Sequence, residues 1–191
     1  METRERLVES ARELLWERGY VGTSPKAIQR RAQAGQGSMY HHFAGKRDLA
    51  LEAIRRSAEK ICAIAEECFA TDGSAFERIL SYLTRQRQVL RGCRLGRLTQ
   101  DPDIMASPSL RQPVDEAFGW LQKRLAEIIV QGQAQGEFDS EMDAREVAAA
   151  ITATVQGGYV LAKAAESEEP FHNAIRGVLS LLASRVIKAH K

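Results

Sequence analysis

Thr23-Ser24-Pro25-Lys26-Ala27-Ile28-Gln29-Arg30-Arg31-Ala32-Gln33-Ala34-Gly35-Gln36-Gly37-Ser38-Met39-Tyr40-His41-His42-Phe43 is the stretch on which the fold turns. Ser24 can accept from the free amides of a first turn and Pro25 suits the first helical position, so a helix opens there. Ile28 and Ala32, four apart, give that helix a buried face and leave Arg30 and Arg31 outside. After Gln33-Ala34-Gly35 a short helix runs from roughly Gln36 to Phe43, with Met39 and Phe43 packing inward. Two helices separated by a turn of this length form a helix-turn-helix.

The charge pattern around the motif gives it a partner. Positions 18 to 47 contain no Asp or Glu but carry Arg18, Lys26, Arg30, Arg31, Lys46 and Arg47. Residues 1–56 hold 11 Lys/Arg against 7 Asp/Glu, and residues 57–191 hold 16 against 18, so the net +2 of the chain is concentrated in its first third. A surface cleared of carboxylates suits duplex DNA, where neutralising phosphates releases counterions.

Working outward, Leu7, Ala11, Leu14 and Leu15 give a first helix, with Gly19 as its stop. A long fourth helix begins at Lys46 and keeps its period through Leu49, Ile54, Ile61, Ile64 and Ala65 as far as Thr71-Asp72-Gly73. A fifth is expected over 74–91 and a short one within 92–98, and the three prolines of 101–113 mark the least regular region. Helices over about 114–135, 142–165 and 169–189 complete the chain. The fold class is therefore all-α: a three-helix N-terminal helix-turn-helix domain over 1–47 and a helical domain over 48–191, about nine helices together.

Bulk properties agree with a soluble, cytoplasmic protein. Hydrophobic content is 44% and charged content 27%. No stretch approaches the roughly 20 apolar residues that a membrane span needs, and Met1-Glu2-Thr3-Arg4-Glu5-Arg6 has no apolar signal region. Cys62, Cys68 and Cys93 follow no disulfide spacing and read as structural thiols in a reducing compartment. No nucleophile–base pattern, metal-ligand cluster or phosphate-cradling glycine loop is present, so neither catalysis nor a cofactor is expected. His41-His42 is no metal site, because adjacent helical residues point apart and no third ligand is evident.

The segment Ser24 to Lys46 resembles the TetR family of bacterial transcriptional regulators, in its helix-turn-helix followed by Tyr40-His41-His42-Phe43 and Lys46. The stretch Gly92-Cys93-Arg94-Leu95-Gly96 is similar to one branch of that family, an LmrA-like one. The physics of the residues agrees. Gln36, Gly37 and Ser38 lie in the first turn of the third helix, where base edges are read: Gln36 can bond adenine twice, Ser38 either base type, and bare Gly37 lets the backbone approach. The resemblance adds Lys26 as a further base contact and implies that Tyr40, His42 and Lys46 hold phosphates, with His41 in the same DNA-facing set. Ser24 sits at a helix N-terminus, where backbone amides favour an anion. Two departures stand out. The family usually has glycine where this chain has Gln33, a residue disfavoured in a left-handed turn, and Gly35 replaces the usual polar cap of the third helix.

The resemblance further implies a homodimer and a small-molecule pocket in the C-terminal helices. Phe69, Cys93, Met105, Phe118, Trp120, Gln156 and Tyr159 lie on the segments that usually surround the effector, each with a plain alternative as a core residue. The low charge of 147–162 points to an apolar or aromatic effector. Ala153 and Gly157 permit close helix approach, and Phe171, Ile175, Val178 and Leu182 form an apolar stripe wide enough to serve a core and a partner. The expected function is a repressor released from a palindromic operator by its effector; the alternative is a ligand-independent DNA-binding regulator or activator with the same head.

Overall fold

A computed structural model describes residues 2–187. Among them ten α-helices follow one another: α1 (Thr3–Arg18), α2 (Pro25–Ala32), α3 (Gln36–His42), α4 (Lys46–Phe69), α5 (Ala75–Thr84), α6 (Arg94–Leu98), α7 (Pro102–Ala106), α8 (Pro108–Ala134), α9 (Ala144–Ala164) and α10 (Glu169–Ala183), with a 3-10 turn at Val89–Arg91 after α5. Phe138 and Val186 make an isolated antiparallel bridge. No described helix is long and apolar enough to cross a membrane. The expected extension of the last helix to 189 ends outside the described residues.

Packing divides the chain into two compact units. The first takes the residues up to Ile61 together with Cys93–Ala117; the second takes Cys62–Gly92 and the chain from Phe118 onward. The functional boundary expected after residue 47 is thus not where packing divides the chain, and α4 and α8 contribute residues to both units.

The first unit is closed by Leu7, Val8, Ala11, Leu14 and Leu15 of α1, Ile28 and Ala32 of α2, Met39 and Phe43 around α3, and Leu49, Ala53 and Ile54 of α4, all buried. Its helix ends use local chemistry. The Ser24 hydroxyl accepts from the Ala27 amide at 3.1 Å, and Gly19 stops α1 with φ 74°. The Arg6 Nε donates to the Ala32 carbonyl at 3.0 Å, satisfying the end of α2 from α1.

The second unit has its own core, in which Phe69, Ile79, Leu83, Leu125, Ile128, Phe138, Ile151 and Phe171 are buried together. Ser74 and Glu77 form a reciprocal capping box on α5. Glu137 reinforces it from the α8–α9 connection, accepting from the Ala75 and Phe76 amides at 2.8 and 2.9 Å. Gly132 is required where it stands, because a Cβ there would meet the Phe138 ring at 2.6 Å and Ala75 Cβ at 2.8 Å.

Two stretches differ from the sequence expectation. Helix α5 ends at Thr84 rather than near 91, and the reason is a local side-chain closure: the Arg87 guanidinium takes the carbonyls of Tyr82, Leu83 and Arg85 at 2.5–2.9 Å, ending the helical ladder there. The proline-rich 101–113 stretch is helical rather than irregular. Pro102 follows the Asp101 cap and Pro108 opens α8, both at starts where no amide is needed, and Pro113 is carried inside α8.

Candidate nucleic-acid interface

Helix α3 is held from below and bare above. Met39 and Phe43 anchor it in the first unit's core, and the Gln29 amide meets the Met39 sulfur at 3.5 Å across the turn. Gln36, Gly37, Tyr40, His41 and His42 are exposed and Ser38 is half-buried, and Ser24 and Lys26 are exposed as well. A Cβ at Gly37 would have nothing within 4 Å. The glycine therefore has no packing role in the chain itself, and its cost to helix stability is left unexplained by the fold.

The turn between α2 and α3 keeps a tight geometry despite its sequence. Gln33 sits in the left-handed region at φ 50°, ψ 45°, with its amide and that of Ala34 bonded back to the Arg30 and Gln29 carbonyls at 3.3 and 3.0 Å. That is the Schellman-type closure normally given to glycine. Gly35 precedes α3 without a side-chain cap.

Lys46 is placed differently from a freely solvated anchor. Its ammonium stacks over the Tyr20 ring at 3.9 Å and is half-buried. Burial pulls its pKa below the ordinary lysine value, opposed by Asp103 and Asp101. Arg31, on the outer face of α2, pairs with Glu17 through both carboxylate oxygens at 2.8 Å.

Sequence reasoning missed Asp101, Tyr20 and Arg47. The Asp101 carboxylate, 7% exposed, accepts from the Tyr20 and Val21 amides at 2.6 and 2.9 Å through one oxygen. Through the other it caps α7 at the Asp103 and Ile104 amides, at 3.2 and 3.4 Å. A carboxylate serving four amides ties the start of α7 to the α1–α2 connection. Arg47 fastens the start of α4 to the α7–α8 corner by bonds to the Ser107 and Ser109 hydroxyls at 3.0 and 2.9 Å. Both links join residues about 60 to 80 positions apart, which no local pattern announces.

The seven pocket candidates fall in both units. Cys93 caps α6, its sulfur accepting from the Gly96 amide at 3.3 Å, and Met105 is partly exposed on α7. In the second unit Phe69 is fully buried core, 5.1 Å from the Tyr82 ring. Trp120 and Tyr159 border that core, while Phe118 and Gln156 are half-buried. Tyr159 lies 4.8 Å from Phe171.

The interface candidates also separate. Phe171, Ile175 and Leu182 are buried in the chain's own second unit, and Phe171 fills the space over Gly158. Ala153 and Gly157 are exposed and Val178 half-buried. The large apolar residues left open on α9 and α10 are ones the stripe did not single out: Val160, Leu161 and Leu181, exposed by 68%, 56% and 71%. Helical periodicity marks a buried face without saying which neighbour buries it.

Comparison with known proteins gives a consistent result. Residues 7–53 match the family model "Bacterial regulatory proteins, tetR family", and residues 73–178 match "Tetracyclin repressor-like, C-terminal domain". The HTH-type transcriptional regulator LmrA of Bacillus subtilis is 29% identical over 176 residues, covering 88% of this chain and 90% of that protein. A TetR transcriptional regulator from Chloroflexus aurantiacus superposes with TM-score 0.87 at 27% identity, over 96% of each chain. The fold is also that of the transcriptional regulator FadR from Bacillus subtilis in complex with stearoyl-CoA, with TM-score 0.73 at 21% identity over 94% of this chain and 97% of that one.

Proposed function

The chain belongs to the tetR family of bacterial regulatory proteins, and from that premise we propose that it is a cytoplasmic homodimeric repressor released from a palindromic operator by a small-molecule effector. Gln36, Ser38 and Lys26 read base edges, Gly37 lets the helix backbone approach the DNA closely, Ser24, Tyr40, His42 and Lys46 hold phosphates, and His41 stands in the same DNA-facing set. The observation that carries this is the outward turn Gln36-Gly37-Ser38 on a helix seated by Met39 and Phe43, within a stretch of 30 residues free of carboxylates.

The open face of Val160, Leu161 and Leu181, with Ala153 and Gly157, supports pairing of α9 and α10 with a second copy about a two-fold axis. Such a dimer presents two α3 helices to half-sites about one helical turn apart. The effector acts by binding better to a conformer that holds DNA poorly, since a ligand indifferent to the two states shifts nothing. The stearoyl-CoA complex of the similar fold supports a ligand of some kind.

Selection of bound duplexes from a random pool at near-physiological salt tests the reading. A palindrome with half-sites one turn apart is expected. Binding without an enriched sequence, fading as salt rises, would reduce the head to an electrostatic patch. Sequence-specific binding that no compound relieves would leave a ligand-independent regulator.

A further inference from the structure

The second unit holds two cations that none of its described side chains neutralises. Arg85 and Arg87 make no ion pair with any described carboxylate, although both are half-buried and the Nε atom of each is enclosed without a hydrogen-bond partner. Aromatic rings surround them. The Arg85 and Arg87 guanidinium carbons lie 5.7 and 5.2 Å from the Tyr82 ring, and Arg87 is 5.8 Å from Phe171, which in turn lies against Tyr159. Burial and the neighbouring Arg85 both press the Arg87 pKa downward, yet a guanidinium stays charged in any protein setting. Two like charges in such a place need an anion.

The donor count narrows which anion. Of the five N–H groups on Arg87, two on Nη1 go to the Leu83 and Arg85 carbonyls and one on Nη2 goes to the Tyr82 carbonyl. A side-chain hydrogen bond with Tyr82 engages Arg87 further, so its enclosed Nε–H is the donor left over, whereas the Arg85 guanidinium donates to no described acceptor and keeps the fork that a single carboxylate takes. We propose that Arg85 and Arg87, with Tyr82, Tyr159 and Phe171, form a site for the carboxylate of a small organic acid whose flat or apolar body lies against the rings. Resting on the effector-released reading, this deepens the expectation of an apolar or aromatic ligand by giving that ligand an acid group.

The test uses the whole protein and three acids, benzoate, cinnamate and octanoate, each beside its neutral amide, read by thermal shift and by release of fluorescent operator DNA. At least one acid is expected to raise the melting temperature at millimolar concentration while its amide does not. Arg85→Gln should weaken that binding roughly tenfold or more, and Arg87→Gln as much as a hundredfold. Because Arg87 also closes the end of α5 and its loss can disturb the fold, Arg85→Gln is the decisive variant: its side chain makes no hydrogen bond or ion pair among the described residues. Binding of no acid, equal binding of an acid and its amide, or undiminished binding by Arg85→Gln would each overturn the proposal. Acid binding that needs Arg85 but leaves operator affinity unchanged would uphold the site and count instead against effector release.

Discussion

The two units solve opposite problems. In the first, few residues set the position of a surface that the chain itself does not use: Met39 and Phe43 are buried so that Gln36, Gly37 and Ser38 can stay bare. In the second, apolar packing is continuous and its oddities lie inside, as the glycine pressed under Phe138 and the arginines among aromatic rings. The difference teaches where to look for function. In the head it lies in residues without packing partners, and in the body in buried groups whose chemistry packing does not satisfy.

The largest effect expected from breaking this contrast is at Met39. Met39→Ala removes a fully buried side chain and should cost about 2–5 kcal/mol in denaturant unfolding, with operator binding lost as α3 loses its seat. Within the exposed set, Gln36→Ala should cost roughly 1–3 kcal/mol on the preferred operator and little on random duplex. Lys46→Ala should weaken all duplexes alike and reduce the salt slope by about one unit. If Lys46→Ala altered sequence preference and Gln36→Ala did not, reader and anchor would be exchanged.

A pair of glycines sharpens the comparison. Gly132→Ala drives a methyl into Phe138 and Ala75 and should destabilise by about 1–3 kcal/mol. Gly37→Ala meets nothing and should stabilise the free protein by up to ~1 kcal/mol while weakening operator binding, by calorimetry and DNA titration respectively. A Gly37→Ala protein that is stabler and binds operator normally would remove the reason for a glycine there. The smallest change is Gln33→Gly. Relief of the left-handed strain at φ 50°, less the entropy that glycine adds to the unfolded chain, should raise stability by roughly 0.5–1 kcal/mol in thermal melts.

These sites also show what the amino-acid sequence makes legible. Ser24-Pro25, Gly19 and the spacing of Ile28, Ala32, Met39 and Phe43 locate the head because each acts on its own neighbours. The left-handed Gln33 could be anticipated from the family pattern, since the closure it completes is local. The early end of α5 was hidden because no glycine or proline marks it; Arg87 brings it about from three residues beyond the helix. The helicity of 102–113 was legible had its prolines been read as helix openers. Asp101 was beyond any pattern, its partners lying 80 positions upstream, and the inward turn of Phe171 and Ile175 depended on a choice between neighbours that periodicity does not make.

Asp101 has a mechanical consequence. One carboxylate oxygen grips the α1–α2 connection and the other grips the start of α7, so sliding either past the other takes backbone amides from the acceptor they share. Loss of this one side chain would therefore free both segments at once.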